Sequence, residues 1–356
     1  MPTTKRRLKT AVAAACLTLG LGVTLAAANA DPASPEPAWS MTIEVAEAAQ
    51  TPVGQTLIEH LSVRHPQLAD ARGKLTQMIG LDPIEDIQRL TLWSDTGNPN
   101  DVALTALLHQ SVGNLEGWML AMPGYESEEL NDQTLLHSFL VEDKQGGAHH
   151  TPRDAMGGSF GDEAYKSRPP MRRVWVALPM GPDGNYRVAA AFDAGETREL
   201  AAALATGDAA LGAALPDGAV AAADMARLPR PLLDAPPDAP ASAMMRAITG
   251  GAATITADET MRTTVQLDAD SPVRARQIGQ LMQGAAAMVQ LAAMEDPNVV
   301  PLADMLASLR VVDTDGRRVT AELTATPEQL IAMMDAHDHG PAQRSRPPAG
   351  QLDLDN

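Results

Sequence analysis

The amino-acid sequence predicts an α+β fold with two sister domains from an internal duplication, each a mainly antiparallel sheet with helices on one face. Three observations support this prediction. Segments with alternating apolar residues indicate strands. Apolar residues at three- and four-residue steps indicate helices. Both patterns recur in the same order in each half of the chain, as a strand–helix–helix–hairpin–helix unit.

The first half begins this unit with an alternating strand at residues 41–45. Thr51-Pro52 predicts a helix start, because threonine accepts a backbone N–H and proline fits the first turn. A second helix stops at Gly80, and Asp82-Pro83-Ile84-Glu85 predicts another capped helix start. The other predicted elements are a hairpin turning at 95–97, a helix around Met119, strands at 135–141, 174–178 and 186–192, and a helix at 196–205. Glu126, Glu128 and Glu129 are interpreted as a solvated acidic run.

The second half repeats the unit, with a strand at 261–267 and a helix that starts at Ser271-Pro272. A short helix at Pro301, a hairpin turning at Asp315-Gly316 and a capping box at 326–329 complete it. The 18 methionines of the chain are expected to fill cores. One face of the long helix is expected to be continuously apolar, formed by Ile278, Leu281, Met282, Ala285, Met288, Val289 and Ala292.

Landmarks in the two halves align at a nearly constant separation. Pro52 matches Pro272, Pro83 matches Pro301 and Gly97 matches Gly316, and so long a period indicates two domains rather than a solenoid. The predicted divisions are a signal peptide at 1–30, a linker at 31–40, a first α+β domain at 41–215 with a long loop at 145–170, a proline-rich junction at 216–240, a second α+β domain at 241–336 and a disordered tail at 337–356.

The first thirty residues predict export. A basic segment with Lys5, Arg6, Arg7 and Lys9 precedes an apolar, alanine-rich stretch, and Ala28-Asn29-Ala30 supplies small residues before Asp31. This pattern is typical of a cleavable signal peptide, with cleavage between Ala30 and Asp31. Lipidation at Cys16 and an uncleaved anchor are the alternatives, but the apolar run before Cys16 is short. The protein is therefore expected in the periplasm or outside the cell.

Charge and cysteine content limit the possible partners. The formal net charge is −18, and removal of the signal peptide would make it four units more negative. Such a charge repels a phosphate backbone, so no nucleic-acid partner is expected. Cleavage would also remove Cys16, the only cysteine, and leave no disulfide. No segment of the mature chain is long and apolar enough to be predicted as a transmembrane helix.

One segment carries a family resemblance. Gly80-Leu81-Asp82-Pro83, followed by Asp86-Ile87 and a strand, resembles a recurrent segment of exported proteins of unknown function from planctomycete-type bacteria. The resemblance implies the overall architecture. Its motifs are caps and turns, so it implies no catalytic residue and no cofactor.

Two sequence patterns suggest chemistry. Gly157-Gly158-Ser159-Phe160-Gly161 matches the G-x-S-x-G pattern of hydrolases, but it lies in the predicted loop rather than between a strand and a helix. A cluster of Asp335, His337, Asp338 and His339 could hold a divalent cation weakly, with His149 and His150 as further ligands. Neither pattern is assigned as a catalytic, metal or cofactor site. His60 and His65 do not share a helix face.

Two functions from different classes remain. The first is an exported, non-catalytic module that binds a protein or an envelope component through its sheets or the domain junction. It is favoured because no catalytic constellation is found in the sequence. The alternative is a secreted hydrolase that uses Ser159 or an unrecognised pair of carboxylates.

Overall fold

The structure is a computed structural model that describes residues 37–95, 102–109, 114–131, 134–142, 171–206, 215–226 and 246–338. The signal peptide with its cleavage site at Ala30 and Asp31, the motif at Ser159 and most of the predicted tail lie outside these residues.

Twelve strands are present in the described part of the chain. They are β1 (Trp39–Glu44), β2 (Ile87–Ser94), β3 (Ala103–Leu108), β4 (Glu126–Asn131), β5 (Thr134–Glu142), β6 (Met171–Ala177), β7 (Arg187–Ala191), β8 (Ala219–Met225), β9 (Ile248–Ala257), β10 (Met261–Ala269), β11 (Arg310–Asp315) and β12 (Arg318–Ala325).

The α-helices of the described residues number eight. They are α1 (Val45–Gln50), α2 (Pro52–Arg64), α3 (Pro66–Ile79), α4 (Leu115–Leu120), α5 (Ala194–Thr206), α6 (Pro272–Ala293), α7 (Val300–Leu306) and α8 (Pro327–Asp338). A short 3₁₀ turn at Pro297–Val299 joins α6 to α7.

All twelve strands form one antiparallel sheet, in the order β11-β12-β10-β9-β8-β1-β2-β3-β7-β6-β5-β4. The α+β class and the antiparallel pairing are confirmed. The structure has a single sheet where two were expected. The strands join at β8, which pairs with β1 on one side and β9 on the other. β8 is an unpredicted strand inside the predicted junction at 216–240.

Helices cover both faces of the sheet, although one face carries most of them. Successive side chains of a strand point to opposite faces. His137 and Phe139 of β5 therefore face α4, whereas Leu136 faces the core that includes Leu200 of α5. The strand registers place Ile43, which packs with α2 and α8, on the α4 face. Among the described helices that contribute to these hydrophobic clusters, α5 is the one that lies on the second face.

Local capping predictions are confirmed at several helix starts. The Thr51 side chain accepts a hydrogen bond from Gly54 N at 3.0 Å, and that of Ser271 accepts one from Arg274 N at 3.4 Å. In the capping box Thr326 N donates to Gln329 Oε1 at 2.9 Å, and Gln329 N donates to Thr326 Oγ1 at 3.3 Å. Gly80 ends α3 with a φ of 71°.

The prediction of a helix that starts at Pro83 is wrong. Residues 83–86 form a turn before β2. Asp82 Oδ1 accepts from Ile84 N at 2.9 Å, and Asp86 Oδ2 accepts from Asp82 N at 2.5 Å. These carboxylates satisfy backbone N–H groups locally, which favours a turn over a helix. The acidic run at Glu126, Glu128 and Glu129 is exposed as predicted, and it forms strand β4, which was not predicted.

The order of elements predicted for the repeat is present in both halves, but the strand pairing differs. β1 pairs with β2, the first strand of its hairpin. In the second half β10 pairs with β12, the second strand of its hairpin, and β11 lies at the sheet edge. The duplication and its domain boundaries therefore stay predictions.

Candidate binding surface

Most residues of the candidate sites predicted from the sequence lie outside the described part of the chain. Ser159, His149, His150 and His339 lie outside the described residues, and the side chain of His337 is likewise outside them. Within the described ranges no group of three or more His, Cys, Asp or Glu side chains is placed to hold a metal ion.

Asp335 on α8, which the sequence analysis grouped with His337 as a possible cation ligand, contacts helix α2. A carboxylate oxygen lies 3.4 Å from His60 Nε2 and 3.5 Å from Arg64 Nε. His60 and Arg64 share a helix face because they are four residues apart. Asp335 thereby links α2 to α8, near the two ends of the described chain.

A buried histidine cluster was not predicted from the sequence. His137 is 1% exposed, and its Nδ1 lies 3.0 Å from the hydroxyl of Tyr125. Its Nε2 lies 3.7 Å from a carboxylate oxygen of Glu116 on α4. Because a carboxylate only accepts hydrogen bonds, this arrangement favours a proton on Nε2, with Tyr125 donating to Nδ1.

This cluster is suited to a structural role rather than proton transfer. Burial lowers the pKa of His137, and the charge of Glu116 opposes that effect only in part. His137 lies on the same face of β5 as Phe139 and is paired in register with Val176, and both belong to the apolar core beneath α4. A neutral, enclosed imidazole has no route to a substrate. In the sequence, a histidine among the alternating apolar residues of β5 was the feature that could have indicated this buried polar group.

Two of the cavities are open to solvent, and each has charged side chains in its lining. One of about 370 Å³ is lined by Asp268, Asp313, Arg317, Arg318 and Thr320. Within it Arg318 donates to both carboxylate oxygens of Asp268, at 2.7 and 3.1 Å, so these charges pair with each other. Another of about 400 Å³ lies between α1, α2 and α3 and includes the Arg72–Glu85 ion pair.

The sheet edges are poorly suited to strand addition. β4 forms one edge, and its exposed positions carry Glu126, Glu128 and Glu129. β11 forms the other edge, and its register with β12 shifts between Val311 and Asp313. Charged side chains and bulges at edges disfavour pairing with another chain. The binding mode through sheet edges therefore loses support.

Helix α6 presents an apolar face to solvent. We define the α6 stripe as Val273, Leu281, Gly284, Met288 and Leu291, which lie on one side of the helix. From Leu281 onward its members are three or four residues apart. Leu281 is 50% exposed, Met288 72% and Leu291 65%. Ala275, Ile278 and Ala286 on the opposite side are buried, and the first two pack against the sheet.

The apolar face predicted for α6 is therefore buried only in part. Ile278 and Met282 pack against the sheet as expected. Leu281 and Met288 do not, because they lie on average about a quarter of a turn round the helix from those positions. Exposed Met288 and Met294 also depart from the expectation that methionines fill cores. The sequence feature that could have indicated an exposed apolar face is that residues 277–294 contain no charged side chain.

Comparisons with known proteins are sparse. No family model matches the chain, and no curated protein matches it. Two solved structures of TP0453 are similar in outline at 10% identity. Crystal form III covers 85% of this chain and 95% of that one with a TM-score of 0.41, and form IV covers 84% and 93% with a TM-score of 0.42. Among the described helices none is long and apolar enough to cross a membrane.

Proposed function

We propose that the protein is an exported, non-catalytic binding module that contacts a protein or an envelope component through the α6 stripe. The observation that carries this proposal is the exposure of Leu281, Met288 and Leu291 on a charge-free stretch of helix. Apolar side chains grouped in this way on a surface are typical of interaction sites. The proposed family context remains that of exported proteins of unknown function.

The energetics favour a covered α6 stripe. Burying apolar surface contributes about 25 cal/mol per Å². Covering several large apolar side chains that now contact water would therefore favour binding. The opposite side of the helix already packs against the sheet, since Ala275 and Ile278 are buried there. The exposed face is thus additional to what the fold needs.

Photo-crosslinking in the native host tests this proposal. A photoreactive amino acid replaces Met288, and a control carries it at Arg262, an exposed position of β10 on the opposite face of the sheet. We expect a defined adduct at position 288 that is absent at 262 and is lost when Leu281 and Leu291 are changed to Gln. If position 288 gives no adduct, or the same adducts as 262, the proposal is wrong.

Two further measurements address export and the alternative function. N-terminal sequencing of the protein recovered from the host is expected to begin at Asp31. A hydrolase screen with the Ser159→Ala variant as control tests the alternative, and hydrolysis that depends on Ser159 would contradict a non-catalytic role.

A further inference from the structure

We infer that the partner of the α6 stripe is the α6 stripe of a second copy of this chain, packed antiparallel about a two-fold axis. The inference rests on the proposed function, because it names the occupant of the same surface. Three features of the helix support it: the symmetry of the stripe, a glycine unexplained by the fold, and the charges at the two ends.

Four residues of the α6 stripe have the same spacing from either end, whereas Val273 near the start of the helix has no counterpart. Gly284 and Met288 lie two residues before and after Ala286, and Leu281 and Leu291 lie five residues before and after it. A two-fold antiparallel pair therefore places Leu281 opposite Leu291 of the second copy, and Gly284 opposite Met288. Such an interface needs a self-complementary surface, which this spacing provides.

Gly284 fits this pairing and has no explanation within one chain. It lies in the middle of a 22-residue helix, where alanine is the more stable residue. A Cβ added at Gly284 would meet no atom within 4 Å, so the fold itself does not require glycine there. In the antiparallel pair the missing side chain leaves room for Met288 of the second copy. Met288 is 72% exposed in the single chain.

The charges at the helix ends favour the antiparallel direction. Arg274 and Arg276 lie in the first turns of α6, and Glu295 lies just beyond its C-terminal end. An antiparallel partner brings the basic end of one helix beside the acidic end of the other. A parallel partner would place like charges together, which is unfavourable. The stretch between the ends is uncharged, so the acidic net charge is kept away from the contact.

Sedimentation velocity over a concentration series of the purified protein tests the dimer. We expect a monomer–dimer equilibrium, and we expect Leu281→Gln with Leu291→Gln to raise its dissociation constant by at least about tenfold. Glutamine already occupies exposed positions of α6, so the helix is expected to fold, as circular dichroism checks. Val63→Gln on α2, where valine is 79% exposed, is the matched control and should leave the constant unchanged.

Disulfide trapping tests the direction of packing. In a Cys16→Ser background, proteins with Leu281→Cys and Leu291→Cys are oxidised separately and as a mixture. An antiparallel pair gives a disulfide-linked dimer mainly in the mixture. Dimers formed by each variant alone, without enrichment in the mixture, would contradict the antiparallel arrangement.

Failure of this inference can be told apart from failure of the proposed function. A protein that stays monomeric at all concentrations overturns the second copy as the occupant. Crosslinking at position 288 to a different protein, or co-sedimentation of that monomer with phosphatidylcholine vesicles that is lost in the Leu281→Gln Leu291→Gln variant, would keep the α6 stripe as a binding surface. A monomer with neither property overturns both proposals.

Discussion

The hydroxyl of Tyr125 lies 3.0 Å from Nδ1 of His137, beneath helix α4. The neighbouring residue, Ser138, points to the other face of the sheet and accepts a hydrogen bond from Arg173 at 2.8 Å. Strand β5 thus carries two adjacent buried polar side chains, each satisfied by a residue distant in sequence. Satisfied buried polar groups specify one arrangement, because any other packing leaves them without partners.

Protonation of His137 is expected to destabilise the protein. Burial lowers its pKa below the ordinary 6.5, and Glu116 only partly opposes this. The unfolded chain therefore binds a proton at a higher pH than the folded chain. Stability from His137 is complete above about pH 6.5 and decreases as the pH falls below that value, until the folded-state pKa is reached. Urea denaturation at a series of pH values measures this decrease.

The His137→Gln variant isolates that contribution. It should be less stable at neutral pH by about 1–3 kcal/mol, because the contact with Tyr125 is disturbed in a buried position. Below pH 6.5 its stability should decrease less steeply than that of the natural protein. Equal slopes for the two proteins would show that His137 does not cause the acid dependence.

Leu330→Ala is expected to destabilise both halves of the chain together. Leu330 of α8 is fully buried in one cluster with Val53 of α2 and Val220 of β8. The cavity should cost about 2–5 kcal/mol. All four tryptophans lie at or before residue 175, so tryptophan fluorescence reports the first half alone. We expect the urea midpoint seen by fluorescence to decrease although the substitution lies in the second half.

The exposed Val312 of β11 provides the control, and Val312→Ala should leave that midpoint unchanged. A normal fluorescence midpoint for Leu330→Ala, with a lower midpoint by circular dichroism, would mean that the halves unfold independently. That outcome would favour the two predicted domains over one cooperative unit.

The sequence predicted those parts of the fold that depend on neighbouring residues. The capping pair Thr326 and Gln329 satisfies both N–H groups locally, so its geometry follows from four consecutive residues. Strand β8 could not be recognised, since its run of alanines has low strand propensity and is stabilised by pairing with β1 and β9. The exposure of Met288 depends on which face of α6 meets the sheet, which periodicity alone does not decide.

The ion pair at the end of α3 is expected to stabilise the protein until acid removes it. Arg72 Nε donates to both carboxylate oxygens of Asp82, at 2.9 and 2.8 Å. Burial raises the pKa of Asp82, but Arg72 and the N–H groups of Ile84 and Glu85 together lower it below the ordinary 3.8. Its stabilising contribution is therefore present above pH 3.8 and is lost as the pH falls through the lower folded-state pKa.

Arg72→Gln should thus lower the free energy of unfolding at pH 7 by about 1 kcal/mol, as for a partly exposed ion pair. The difference from the natural protein should shrink at strongly acidic pH, where Asp82 is protonated. Arg64→Gln, which removes the more exposed contact to Asp335, is the comparison and should have a smaller effect. A difference that is constant across the pH range would contradict the role given to Asp82.

Gly284→Ala is expected to stabilise the single chain and to weaken its association into a dimer. In the single chain alanine meets no neighbour and improves the helix, so the free energy of unfolding should rise by about 0.5–1 kcal/mol at low protein concentration. In the antiparallel dimer the added methyl group meets Met288 of the second copy, so the dissociation constant should rise. Thermal melting of dilute protein and sedimentation velocity measure the two quantities on one sample. Their opposite directions are specific to the proposed pairing, because a glycine with no contact in either state would raise stability and leave association unchanged.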